Sequence, residues 1–350
     1  MKERQKKVKY LNLLLIFIPL AIATSLFDLD PRLVFASAAL GIIPLAGILG
    51  KATEELALHA GPQVGGLLNA TLGNAAELII TIFALREGLL ELAKASITGS
   101  ILGNVLLVLG LSILFGGLRH GTQRFDRSQA GRNATMMTLA IIALVIPAIF
   151  GHAIERDRLA VEELSLGVAG VMIIIYALSL IYSFRSAPAT QTVEAANWGL
   201  RLVLLALALS ILFTAWLSEI LVETVEPVVQ SLGVTEFFLG VIIVPLVGNV
   251  VEHLVAVQTA WKNKMDLSLA ISLGSSMQIA LLVAPLLVFI SLLGPEPLSL
   301  IFNQFELISL GAAVGIATFI SLDGESNWLE GAELLAVYCI IAIAFFFLPS

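Results

Sequence analysis

Cysteine is almost absent: Cys339 is the single thiol in 350 residues. That excludes an intrachain disulfide framework and a cysteine-based metal cluster, and it leaves the redox compartment unread. Histidine is nearly as scarce, with four residues spread along the chain, so soft-metal chemistry has no ligand set. Charge is the third shortage. Only 13% of residues are charged, about half the usual share of a soluble domain, and 58% are hydrophobic. The formal charge of −7 is scattered over short loops, which gives no basic patch for nucleic acid and no docking surface. No HExxH or GxSxG occurs, and no Asp pair lies in an apolar run, so an intramembrane hydrolase is the poorest reading.

What the chain has instead is uncharged apolar runs, repeated along its whole length and long enough to cross a hydrocarbon core of about 30 Å as helices. The composition is that of an all-α integral membrane protein surrounded by lipid bilayer, with no soluble domain left over. Helices are expected near 10–27, 32–57, 62–86, 92–118, 131–150, 163–184, 200–222, 235–261, 266–293, 303–322 and 329–348, eleven spans in all. The basic start KERQKKVK and the run from Tyr10 to Phe27 have the layout of a secretory signal. The run is long for a signal h-region and no convincing small-x-small cleavage site precedes Asp28, so it reads as a retained first span. With the N-terminus on the cytoplasmic side, Lys and Arg divide 14 to 5 in favour of the cytoplasmic loops. An odd number of spans then puts Ser350 on the opposite side.

The informative stretch is GNAAEL, Gly73 to Leu78, which returns as GNVVEH, Gly248 to His253. A shift of 175 residues aligns the two without a gap and carries on into the next helix, where Gly99 and Ser100 meet Gly274 and Ser275. The first copy lies in the third span and the second in the eighth, which run in opposite directions. An inverted-topology repeat is a recurring plan of secondary transporters. The chain therefore divides into a first span (1–28), one five-helix repeat (29–185), a connecting loop (186–197) and a second five-helix repeat (198–350).

A carboxylate near the middle of a membrane helix costs about 2.5–3.5 kcal/mol on insertion scales, and it persists where it faces a cavity, a partner or an ion. Glu77 and Glu252 both carry that cost. Asn74 and Glu77 are three apart and share a helix face, as do Asn249 and Glu252. Gly73, Gly248 and Pro245 weaken the helix beside each pair, which predicts local unwinding there. Interhelical hydrogen bonding alone would account for one such motif. Two copies on inverted helices bring two carboxylates to one point, and two adjacent anions demand a cation or protons between them. A hard divalent cation such as Ca²⁺ suits them, because it takes about 6–8 oxygen ligands. Two carboxylates supply four oxygens at most. Further donors are available on the helices that follow, where Ser100 and Asn104 share a face, as do Ser275 and Gln278; for the serines, helix packing explains the pattern equally well. His253 lies about 100° round the helix from Glu252, a better proton or hydrogen-bond partner than ligand.

At these residues the sequence resembles the calcium/proton exchangers of the calcium/cation antiporter superfamily. The likeness covers almost the whole chain through GNAAELIITIFALREG, GNVVEHLVAVQTAWKNK, KATEELALHAGPQVGGLLNAT, LGSSMQIALLVAPLLV and DGESNWLEGAELLAVY. The resemblance implies one extra helix plus two inverted five-helix repeats, and exchange of Ca²⁺ for H⁺ by alternating access with no cofactor. It implies Glu77 and Glu252 as shared cation and proton carriers, with Asn74, Asn104, Asn249 and Gln278 lining the site. The chain departs from the pattern in two places. The loop RSAPATQTVEAANW lacks the acidic run that many relatives carry, and Pro245 stands where relatives have a small aliphatic residue. A Na⁺/Ca²⁺ exchanger of the same superfamily is the alternative, although its motifs resemble GTSxPE and GSNxxN. A gated cation channel is a weaker one, since channels build rings from repeated subunits. Ligand types do not separate Ca²⁺ from Mn²⁺ and leave a homo-oligomer open.

Overall fold

The structure is a computed structural model, and it describes residues 13–154, 157–186 and 196–348. The described residues form thirteen helices: α1 (Leu14–Leu26), α2 (Pro31–Ala60), α3 (Pro62–Leu72), α4 (Ala75–Arg86), α5 (Leu90–His120), α6 (Arg127–Ile154), α7 (Arg158–Ser186), α8 (Leu200–Glu223), α9 (Val225–Leu232), α10 (Glu236–Trp261), α11 (Met265–Ser291), α12 (Gln304–Ile320) and α13 (Trp328–Phe346). Eight are long and apolar enough to cross a membrane, and α1 and α12 are shorter apolar helices. Two antiparallel two-residue strands, β1 (Gln123–Arg124) and β2 (Glu325–Ser326), join the loop after α5 to the loop after α12. The basic start of the chain and most of the connecting loop, residues 187–195, lie outside the described residues.

The helices begin where sequence chemistry starts them. Asp30 accepts from the Arg32 amide with Pro31 at the first helical position of α2, and Asn303 and Asn327 open α12 and α13 with capping boxes. Gly61 takes φ 83° between α2 and α3, a conformation that L side chains rarely adopt. Outward faces are apolar, with Val171, Ile174 and Ile340 each at least 61% exposed, as expected for lipid contact. Inward, Ile101, Leu106, Ile279 and Leu281 are buried in one continuous core.

The expected helix over 62–86 is corrected to two, α3 and α4, broken at Gly73–Asn74. Asn74 takes φ −106° and ψ 32°, and its side chain makes no capping bond to α4. The second copy behaves differently. No break occurs at Gly248, because α10 runs on through the motif, and its irregularity lies upstream in a π-helical turn over Leu239–Ile243, just before Pro245. Two more π turns, Gly103–Val108 in α5 and Ile279–Val283 in α11, fall in matching register under the 175-residue shift. Such turns concentrate at functional sites because they re-aim side chains and carbonyls.

Polar clamps fix the ends of the helices that carry the motifs. The last carbonyls of α10 accept from α5 and the loop after it: Ala260 O from Gln123 Nε2 at 2.9 Å, and Trp261 O from His120 Nε2 at 2.9 Å and Arg119 at 3.3 Å. Cationic groups at a helix C-terminus are favourable against the backbone dipole. Elsewhere the Glu55 carboxylate of α2 accepts from the amides of Asn197 and Trp198, and the Lys51 ammonium sits 4.5 Å from the Trp198 ring centroid. The end of the connecting loop is thereby held on α2.

Candidate ion-binding site

The two motifs meet in the middle of the bundle. In α10 Asn249 sits three residues ahead of Glu252, so amide and carboxylate leave that helix on one side, whereas Asn74 sits in the break just before α4, three residues ahead of Glu77. Asn74, Glu77, Asn104 and Asn249 are buried, as are Ser100 and Ser275, while Glu252, Gln278 and His253 are half-buried. The two motifs come into contact at Glu77 and Gly248. A methyl group built on Gly248 would stand 3.0 Å from Glu77 Oε1 and 3.1 Å from its Cγ, so the first carboxylate lies directly on the backbone of the second motif. Glu77 and Glu252 are near enough to interact electrostatically.

Hydrogen bonds knit the remaining donors across the halves. Asn104 Nδ2 donates to Ser275 Oγ at 3.1 Å, Ser275 Oγ donates to Asn74 Oδ1 at 2.9 Å, and Asn74 Nδ2 donates to Gln278 Oε1 at 2.6 Å. This chain explains the missing cap on α4: the Asn74 amide is engaged by α11 instead. Asn249 Nδ2 donates to Ser100 Oγ at 3.3 Å and to Pro245 O at 3.0 Å. The Pro245 carbonyl is a partner that sequence reasoning missed, and its register, four residues before Asn249, is the only signal that could have pointed to it. Six of the eight oxygen-donor candidates named from the sequence are joined by these bonds, Glu77 lies on Gly248 beside Asn249, and Glu252 follows three residues on in α10. His253 lies beside them on the chain, and its Nε2 is buried without a hydrogen-bond partner.

Three of the buried side-chain atoms that lack a hydrogen-bond partner belong to the second motif. Among the described residues Asn249 Oδ1, Glu252 Oε2 and His253 Nε2 are buried and make no hydrogen bond, which is costly unless another species visits them. No group of three or more His, Cys, Asp or Glu side chains gathers among the described residues. A cation here would therefore rest on two carboxylates supplemented by amide and hydroxyl oxygens. That donor set is hard and all-oxygen, apart from His253 at its edge, and is suited to Ca²⁺-like ions.

These features define a multi-pass helical membrane protein with a buried oxygen-donor site built from two related motifs. The chain belongs to the family described as sodium/calcium exchanger protein, which it matches over residues 32–185 and 202–347. It is 43% identical to the Ca²⁺/H⁺ antiporter of Aphanothece halophytica, over 96% of both chains. It is also 43% identical to the Ca²⁺/H⁺ antiporter ChaA of Bacillus subtilis, over 95% of this chain and 97% of that one. Among solved structures it superposes on native YfkE with a TM-score of 0.86 at 41% identity, covering 97% of this chain and 100% of that chain. The H⁺/Ca²⁺ exchanger CAX gives a TM-score of 0.76 at 19% identity, over 97% of this chain and 92% of that one, a likeness of fold.

Proposed function

We propose that the protein is a secondary antiporter that exchanges Ca²⁺ for protons across a membrane, with Glu77 and Glu252 as the groups that both ions share. The observation that carries this reading is the seating of Glu77 on Gly248, which makes one site out of two motifs. Metal binding needs ionised carboxylates, so a cation and protons compete for the same oxygens and one expels the other. Asn74, Asn104, Asn249, Gln278, Ser100 and Ser275 line the site and complete the oxygen shell. His253 serves as a local proton partner for Glu252. The names of the relatives support Ca²⁺ and H⁺ as the exchanged ions, and a carrier rather than an enzyme.

Eleven spans are assigned, with α3 and α4 together forming the third and α1 standing outside two inverted five-helix repeats, 29–185 and 198–350. Alternating access then follows from rocking of the two halves about the shared site, allowed when Ca²⁺ or protons neutralise its charge. The basic residues favour a cytoplasmic N-terminus. A reporter active only in the cytoplasm, fused after Ser350, is expected to stay silent, and activity there would reverse the topology.

The test of coupling is purified protein in liposomes. Ca²⁺ movement is expected to follow an imposed pH gradient and to ignore a Na⁺ gradient. Flux that tracks Na⁺ and not pH would establish the Na⁺/Ca²⁺ alternative in its place. An ion panel in the same liposomes ranks Ca²⁺ against Mn²⁺.

A further inference from the structure

The ion-site reading leaves a deeply buried carboxylate of α12 unused. Glu306, in the first turn of α12, is buried to 1% exposure. One of its oxygens closes the capping box, accepting from the Asn303 amide at 2.9 Å. That bond is local and explains the start of α12. The other oxygen, Oε1, has a different use: it accepts from Thr98 Oγ1 at 2.8 Å, on a helix 208 residues away in the chain. Thr98 is itself fully buried. The charged groups nearest to Glu306 are Lys94 and Glu91. Both lie on α5, Lys94 with its side chain only 12% exposed, one turn before Thr98, and 3.7 Å from Glu91.

The position of Thr98 on α5 gives this contact its consequence. Thr98, Gly99 and Ser100 are consecutive and point three ways round the helix. Thr98 is held by α12. The Gly99 backbone is pressed against α10, where a side chain at Gly99 would overlap the Val241 carbonyl and the Pro245 ring. Ser100 faces the site and accepts from Asn249, and Asn104, one turn further along that face, donates to Ser275. A helix gripped on one side, packed without clearance on the second and bonded to the site on the third has its rotation determined. We infer that Glu306 is a positioning residue for ion binding: through Thr98 it sets the rotation and depth of α5, so that Ser100 and Asn104 meet the motif residues of the other half. The inverted repeat gives no second copy of this device, because Thr98 and Glu306 correspond to Leu273 and Gly131 under the 175-residue shift. The role rests on the proposed ion site but is separable from it.

The experiment compares Thr98→Val, Thr98→Ser and Glu77→Gln with the unaltered protein in liposomes, reading the KM for Ca²⁺ and the maximal rate of pH-driven uptake. Thr98→Val keeps the shape and removes the donor. It is expected to raise KM about fivefold at a nearly unchanged maximal rate, since small displacements of liganding groups are costly. Thr98→Ser restores the hydroxyl and is expected to return KM to within about twofold of the unaltered value. An unchanged KM in Thr98→Val, or equal impairment by Thr98→Ser, overturns the inference. If Thr98→Val does not fold, Thr98→Ala compared with Thr98→Ser carries the test, because those two variants differ only in the hydroxyl that Glu306 accepts from: a KM higher in Thr98→Ala than in Thr98→Ser supports the role and an equal KM removes it. Normal exchange by Glu77→Gln removes the ion-site reading whatever Thr98→Val does. Loss in Glu77→Gln with no effect of Thr98→Val removes the positioning role alone.

Discussion

Glu77→Gln and Glu252→Gln are each expected to abolish pH-driven Ca²⁺ exchange in liposomes while the protein still folds. Glutamine keeps the volume and one acceptor oxygen but removes the charge and the proton that the exchange requires. A charged ligand contact is worth about 2 kcal/mol, so cation binding alone falls by roughly 30-fold. Coupling falls further, because an amide cannot hand a proton over when the cation arrives. Folding is expected to survive, since replacing a buried carboxylate by its neutral isostere relieves desolvation rather than adding to it. His253→Ala leaves both carboxylates in place and is expected to be milder, lowering the rate without uncoupling the ions. Near-normal exchange by either glutamine variant, with folding confirmed by size-exclusion profile and thermal melt, would return that glutamate to a structural role.

Gly248→Ala is the second large effect, and in it stability and activity are expected to part company. The added methyl would stand 3.0 to 3.2 Å from Oε1, Cγ and Cδ of Glu77, all tighter than ordinary contact, so the carboxylate must shift. Alanine favours the continuous helix α10 by about 1 kcal/mol over glycine, which offsets part of the crowding penalty of about 1–3 kcal/mol. The melting temperature should therefore change by a few degrees at most, while the KM for Ca²⁺ rises about tenfold, because displaced ligands lose geometry. Liposome flux and thermal melts on the same preparation check both halves. Unimpaired exchange would mean that Glu77 does not need its seat on α10.

Much of this molecule was legible before any coordinates. α2 was expected over 32–57 and is found over Pro31–Ala60, and α10 was expected over 235–261 and is found over Glu236–Trp261. Long apolar runs leave a membrane helix little choice, since every backbone polar group must be satisfied within the segment. The motifs were legible for the opposite reason: Asn and Glu inside such runs are too costly to be incidental. Glu306 was not, because it sits three residues after Asn303 at a helix start, where a carboxylate is unremarkable as a cap. Its second partner, Thr98, can be known only when α12 lies against α5.

The sequence by itself determined the membrane class, most of the apolar helices and the two-copy motif, and it marked the oxygen donors proposed for the site, because hydrophobic length, helix-breaking residues and the cost of buried charge are properties of short segments. Only the tertiary structure decided how the two copies differ. One breaks at Gly73–Asn74, where the Asn74 side chain turns from its own helix to α11, and the other stays helical through Gly248, on whose bare backbone Glu77 rests. Hexapeptides that share Gly, Asn and Glu in register take different backbones because their Asn side chains are engaged differently: Asn74 donates to Gln278 on α11, in the other half of the chain, whereas Asn249 donates to the Pro245 carbonyl of its own helix as well as to Ser100 across the halves.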